Sequence, residues 1–146
     1  MHQINDFHMG LFSLEGKNAV VTGGNSGLGQ AFSLALAKAG ANIFMPSVMP
    51  DDPEFNKLIE AEGGKAYYME ADLTKDGMAK VVTDAALEKM GSIDILVNCA
   101  GICPCEEWEN FGRDLWDKGT AINLTAAFEM TTECGKVMKE QRSGKI

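Results

Sequence analysis

Apolar residues along the chain fall into short runs, separated by stretches in which they recur every three or four positions. The first run, Ala19-Val20-Val21, ends on Thr22-Gly23-Gly24-Asn25-Ser26-Gly27-Leu28-Gly29, which predicts a buried strand entering a glycine-rich turn. Leu28, Phe32, Ala35, Leu36 and Ala39 then recur at helical spacing, with Gly40 placed as a C-terminal cap. Ile43-Phe44-Met45 predicts a second strand. Pro46, Pro50 and Pro53 punctuate a loop, and Asp51 and Asp52 stand where they cap a short helix through Phe55, Leu58 and Ile59 that Gly63-Gly64 ends. Ala66-Tyr67-Tyr68-Met69 predicts a third strand. Met78, Val81, Val82 and Ala85 mark an amphipathic helix ending near Gly91, and Ile93-Asp94-Ile95-Leu96-Val97 a fourth strand stopped by Asn98-Cys99-Ala100-Gly101. A long helical segment over 113–140 shows two apolar faces, one with Ile122, Ala126, Met130, Val137 and Met138, the other with Leu124, Ala127 and Phe128. Two such faces predict burial against the sheet and against something else.

Strands that alternate with helices of this length form βαβ units, and continuous apolar runs are what strands buried on both faces require. The predicted class is α/β with a doubly wound parallel sheet. With 146 residues, the chain is one domain on length alone, read here as an N-terminal extension over 1–13 followed by the domain over 14–146. Composition adds little: 45% apolar, 23% charged and a mean hydropathy of -0.10 are ordinary for a globular protein. Charge excludes more. Thirteen Lys plus Arg against 21 Asp plus Glu leave -8 at neutral pH, with no segregated basic patch, which disfavours nucleic acid as a partner. No apolar run approaches the roughly 20 residues of a membrane span, and Met1 to Gly10 lacks the apolar segment of a secretion signal, so a cytoplasmic protein is expected.

Cysteine spacing raises a metal reading, because Cys99, Cys103 and Cys105 lie close together in sequence. Zinc sites usually pair such ligands with a second Cys or His pair, and both histidines, His2 and His8, lie in the tail. No metal site is predicted, and reduced thiols serving as small apolar fillers are the favoured account.

The chemistry centres on the strand, turn and helix from Ala19 to Gly40. A glycine turn lets backbone amides approach a pyrophosphate, and the helix that starts there points its positive end at the anion. Such glycines also serve packing alone, so the turn carries two readings. It lacks the lysine of a P-loop, which disfavours ATPase chemistry.

Thr22-Gly23-x3-Gly27-x-Gly29, Asp72-Leu73 after the third strand, Asn98-Cys99-Ala100-Gly101 after the fourth, and Asn123 within Ile122-Asn123-Leu124 together resemble the short-chain dehydrogenase/reductases, from about Phe12 onward. Leu11 to Lys17 is similar to the opening of bacterial gluconate and deoxygluconate dehydrogenases, although acyl-carrier-protein reductases open in a similar way. The resemblance implies a Rossmann-type domain, incomplete after its fourth strand and following helix. It implies an NAD(P)-dependent oxidoreductase that transfers a hydride between nicotinamide and a secondary alcohol or ketone, with a sugar acid such as gluconate as the implied substrate. By the same resemblance, Gly23, Asn25, Ser26, Gly27, Leu28 and Gly29 shape the pyrophosphate turn, Asp72 and Leu73 hold the adenine, and Asn98, Ala100 and Gly101 flank the ribose. Asn123 is the member of the catalytic tetrad that kinks its helix and holds a relay water. Cys99 departs from the family pattern, which usually has a second Asn there.

Cofactor choice is set at the end of the second strand, near Pro46-Ser47, where a carboxylate would bind a ribose 2'-hydroxyl and an Arg a 2'-phosphate. Ser47 does neither. No Arg or Lys follows the second strand until Lys57, so NAD is favoured over NADP; Asp51 and Asp52 would repel a 2'-phosphate, but they also serve as simple helix caps. The family's catalytic Ser and its Tyr with a Lys four residues on are not found here. Tyr67 and Tyr68 are the only tyrosines, and Ala71 and Asp72 stand four places after them. Gly144-Lys145-Ile146 reads as the opening of a fifth strand, so the missing residues are expected beyond Ile146, and the 146 residues alone are expected to be inactive. Two alternatives stay open: a non-catalytic adenine-nucleotide-binding fragment, and a self-associating structural remnant. The fourth strand is expected as an open apolar edge, with a homo-oligomer as the consequence. Trp108 and Trp116 are read as packing residues, and the loop from Ile102 to Trp108 as a wall of the cleft.

Overall fold

The fold is described from a computed structural model, which covers residues 9–146; residues 1–8, most of the predicted N-terminal extension, lie outside the described residues. Four parallel strands, β1 (Asn18–Val21), β2 (Asn42–Ser47), β3 (Ala66–Glu70) and β4 (Ile95–Val97), stand in the order β3-β2-β1-β4. Helices α1 (Gly27–Lys38), α2 (Pro53–Ala61) and α3 (Met78–Met90) are the crossovers between them. After β4 the chain runs through α4 (Arg113–Thr120), a π-helical turn (Ala121–Ala126) and α5 (Ala127–Gln141) without a break. The doubly wound reading holds.

Alternation along each strand divides the core in two. Ala19, Val21, Ile43 and Met45 face one side with Ala37 of α1 and Phe55 and Ile59 of α2. Val20, Phe44 and Leu96 face the other, against Val82 and Ala86 of α3 and Met130, Cys134 and Met138 of α5. Register places Val20 opposite both Phe44 and Leu96, so each layer is continuous across the sheet.

The amino ends of the strands are joined by side chains. Asn18 donates to the Met90 carbonyl at 3.0 Å and to Ser92 Oγ at 2.8 Å, and it accepts from Asn42 Nδ2 at 2.8 Å. Asn42 in turn accepts from the Lys65 N–H at 3.0 Å, and Asp94 accepts from the Asn18 N–H at 3.0 Å. All four strands are therefore anchored at this end by neutral amides and one carboxylate.

Capping follows the sequence at two places. Asp52 accepts from the Phe55 N–H at 3.1 Å with Pro53 in the first turn of α2, and Gly40, at φ +108°, turns the chain out of α1. The predicted helix faces need correction. Leu28 is 74% exposed, and Phe32, Leu58 and Val81 are exposed too; the stripe that α1 buries is Gly29, Ser33 and Ala37. A helix lying close on a sheet buries its small residues, and apolar periodicity marks large ones instead. Trp108, at 81% exposure, and Trp116 are not packing residues. Of the four thiols, only Cys134 is a buried filler; Cys99 is half-buried, and Cys103 and Cys105 are exposed. Ile93 is buried but lies before β4.

The edge of β4 is less open than expected. Lys145 bridges Ile95 in parallel, donating its N–H to the Asp94 carbonyl at 3.0 Å and accepting the Leu96 N–H at 2.9 Å. A single isolated bridge thus stands where Gly144-Lys145-Ile146 suggested the opening of a fifth strand.

These burials set a contrast for stability. Met130→Ala is expected to cost about 2–5 kcal/mol, whereas Leu28→Ala should change stability by less than about 0.5 kcal/mol; urea denaturation of both variants decides whether α1 faces the way described.

Candidate functional site: a nucleotide cleft at the strand ends

A cleft of about 400 Å³ opens beyond the carboxyl ends of the strands, where the order runs one way through β2 and β3 and the other through β4. Such a reversal is where doubly wound sheets bind ligands. Its floor is the turn into α1. Gly23 adopts φ +65° and Gly27 φ +49°, and a Cβ at Gly29 would collide with the Gly23 carbonyl, so the turn is tighter than any side chain permits. Ser33, buried in α1, donates from its hydroxyl to the Gly24 carbonyl at 2.9 Å and fixes the turn from below. No side chain caps α1. Its first-turn N–H groups, which have no intrahelical acceptor, are left for an anion.

Gly23, Ser26, Gly27, Leu28, Gly29, Ser47, Leu73, Ala100 and Gly101 of the predicted set line this cleft. Asn25, Asp72 and Asn98 do not. Asn25 is buried and donates from Nδ2 to the Pro50 carbonyl at 2.8 Å and more weakly to that of Met49 at 3.3 Å, tying the turn to the loop after β2. Tyr68 donates to the same Met49 carbonyl at 2.9 Å. Asn98 donates to Thr131 Oγ1 at 3.0 Å and links the end of β4 to α5.

Asp72 turns to its own neighbours. Its carboxylate accepts from the Thr74 hydroxyl at 2.6 Å and the Thr74 N–H at 3.0 Å, with Lys75 at 3.5 Å. The Thr74 hydroxyl, then the Thr74 N–H, and less strongly Lys75, hold this carboxyl below its ordinary value of 3.8.

Pro46, named with Ser47 at the end of β2, lines the cleft as well, and so do residues not anticipated: Val48 and Met49 after β2, Ala71 after β3, and Ile122 in the π turn. All but Ile122 lie at or just past a strand end, and the rule that ligands sit beyond the carboxyl ends of parallel strands would have marked them. From the loop 102–108 only Ile102 reaches the wall. Among the described residues no Asp, Glu, Lys, Arg or His lines the cleft, so backbone dipoles and the Ser26 and Ser47 hydroxyls supply its polarity. Burial pushes the Cys99 thiol up, which keeps it protonated on that wall.

Two side chains hold the β4 side of the cleft. The Thr22 hydroxyl oxygen accepts the N–H groups of Cys99 and Ala100, each at 2.9 Å, while the Thr22 N–H donates to the Val97 carbonyl at 3.0 Å. Asn123, in the π turn, accepts the Ile102 N–H at 2.9 Å and donates to the Ile102 carbonyl at 2.8 Å. Each polar atom of Asn123 makes one hydrogen bond to the same residue of the wall. Tyr68 is not among the residues that line the cleft; desolvation first, then Glu70 and Asp51, push its hydroxyl above the ordinary value.

Comparison with known proteins agrees with this geometry. The family described as short chain dehydrogenase matches residues 17–146. The chain is 50% identical over 146 residues to an uncharacterized oxidoreductase, YgcW, of Escherichia coli, covering all of this chain and 56% of that one. It is 38% identical over 137 residues to the 2-dehydro-3-deoxy-D-gluconate 5-dehydrogenase of Bacillus subtilis, covering 92% and 53%. Among solved structures, a Sinorhizobium meliloti protein provisionally assigned as a short-chain alcohol dehydrogenase superposes with a TM-score of 0.86 at 34% identity, over 91% of this chain and 53% of the other. The chain therefore spans about half the length of the curated relatives it matches.

Two predictions follow from the side chains around the cleft. Thr22→Val keeps the shape but leaves the Cys99 and Ala100 N–H groups without an acceptor; it should cost about 2–4 kcal/mol by denaturant unfolding, with Thr22→Ser recovering most of the loss. Because folding favours ionised Asp72, its contribution is complete above 3.8 and disappears as pH falls through that value towards the lower folded one. The stability gap between the parent and Asp72→Asn should therefore narrow in acid, and a gap that stays constant with pH would refute the pairing with Thr74.

Proposed function

Because the chain belongs to the short-chain dehydrogenase family, we propose that these residues form the nucleotide-binding half of an NAD(P)-dependent oxidoreductase acting on a secondary alcohol or ketone. The observation that carries this reading is the uncapped start of α1 in a glycine cradle, opening onto a cleft with no charged side chain among the described residues. When bound, the nicotinamide cofactor supplies the hydride acceptor or donor. The protein's part is to hold and orient it.

In this reading Gly23 and the segment from Ser26 to Gly29 receive the pyrophosphate on backbone N–H groups. Ala71 and Leu73 offer the adenine an apolar shelf, and Asp72 orders that shelf through Thr74. Ala100 and Gly101 flank the ribose, their turn fixed by Thr22 and, through Thr131, by Asn98. Ser47 and the adjoining Val48 and Met49 place a hydroxyl and no cation at the end of β2, which supports NAD over NADP. Asn123 acts on the cleft by positioning Ile102. A relay water there would be held by the backbone of the π turn.

No Tyr with a Lys four residues on occurs among the 146 residues, so in this reading the proton for the developing alkoxide is not supplied by that pair within them. A sugar acid is the proposed substrate class, supported by the likeness to a deoxygluconate dehydrogenase. The exposed Leu124 and Phe128 support a homo-oligomer, and four unpaired cysteines fit a reducing, cytoplasmic location.

Titration with NADH and NADPH, followed by nucleotide fluorescence, tests the reading. NADH should bind the more tightly, and Gly29→Val, which places a branched side chain against Gly23, should weaken it at least about tenfold, or about 1.4 kcal/mol. Binding of neither nucleotide, or unchanged binding by Gly29→Val, would sink the proposal.

A further inference from the structure

The loop between β4 and α4 carries two thiols that the nucleotide cleft does not use. Cys103 and Cys105 are both exposed, and their sulfurs lie 3.8 Å apart. Cys105 Sγ also donates to the Cys103 carbonyl at 3.5 Å, so its side chain is folded back towards its partner. A disulfide needs its sulfurs at about 2.05 Å, which leaves about 1.8 Å to close from the observed separation.

The backbone between them permits that closure. Pro104 has its φ held near about -65°. At a polyproline rise of about 3.1 Å per residue, Cα atoms two positions apart are separated by about 6 Å, inside the roughly 4.4–6.8 Å that disulfides span. The loop is also held in place on either side. Asn123 clamps both backbone groups of Ile102, and Pro104 lies over Gly119 of α4, where an added Cβ would stand 3.8 Å from its Cγ. Two exposed sulfurs on a held loop meet each other far more often than they meet a second small thiol in solution.

We propose that Cys103 and Cys105 form a dithiol site that exchanges with low-molecular-weight disulfides and closes to a disulfide within the loop, at the rim of the nucleotide cleft. The step balances as ordinary thiol–disulfide exchange. One cysteine, as thiolate, attacks the small disulfide, forms a mixed disulfide and expels one small thiolate. The second cysteine attacks the protein-side sulfur of that mixed disulfide, forms the Cys103–Cys105 bond and expels the other. Both protein thiols are oxidised, the small disulfide is reduced to two thiols, and the two cysteine protons pass to the leaving thiolates. In a reducing compartment the dithiol is the resting form and the disulfide a transient one. Cys134, buried between α3 and α5, takes no part.

Exposure of the purified protein to hydroxyethyl disulfide, an acid quench, intact mass and peptide mapping test this. The probe is neutral, so the nearby Glu106, Glu107 and Glu109 do not repel it. The parent should lose the mass of two hydrogen atoms, with the bond mapped between Cys103 and Cys105. Cys105→Ser should instead retain one mercaptoethanol adduct on Cys103, at a level at least about tenfold above that on the parent. A parent carrying adducts on both cysteines, a bond from either to Cys99, or no reaction at this loop would each overturn the proposal. None of these readouts depends on nucleotide binding.

Discussion

The turn that follows β4 is held against the end of β1 by one hydroxyl. At the amino ends of the strands, asparagine and aspartate side chains join all four; beyond the carboxyl ends the sheet opens onto the cleft, and among the described residues the side chain that bridges the end of β1 to the turn after β4 is Thr22. Its oxygen accepts two successive N–H groups of the turn after β4. Without it the turn would have two amides facing an apolar wall with no acceptor, a cost comparable to a large share of a domain's net stability. Gly23 can then follow at φ +65°, which sends the chain under the cleft and into α1. The glycine turn, the unfilled first turn of the helix and the apolar shelf past β3 are all arranged about that opening.

Much of this was legible in the sequence because backbone demands leave compositional marks. Buried parallel strands need apolar residues on both faces, and β1, β2 and β4 show them as unbroken runs. A turn with left-handed φ needs glycine, and Gly23, Gly27 and Gly40 stand where the chain turns that way. What escaped is of a different kind. The buried stripe of α1 is made of Gly29, Ser33 and Ala37, chosen for smallness, and periodicity of large apolar residues pointed instead to Leu28 and Phe32. Asn25, Asp72 and Asn98 sit in recognisable motifs, yet each satisfies a neighbouring hydrogen-bonding group and leaves the cleft to others. Which way a polar side chain turns depends on acceptors brought close only by folding.

The two thiols at the rim show the same limit from the other side. Cysteine at Cys99, Cys103, Cys105 and Cys134 reads alike in a sequence, as a small residue of uncertain use. Folding separates them into one buried filler, one half-buried wall residue whose thiol burial keeps protonated, and an exposed pair. Their chemistry follows from that sorting and from the proline between two of them.

The π turn at Ala121–Ala126 has a geometric consequence for everything after it. Inserting one extra residue into a helical turn shifts the phase of the following helix by about 100°. Ile122, inside this turn, lines the cleft and also packs against the cluster that holds Met130, Cys134 and Met138 of α5. The chain therefore counts residues here in a way that a regular helix does not. A homologue one residue shorter between Thr120 and Ala127 would carry its last helix in a different rotation, and an alignment that places a gap in this stretch implies that rotation.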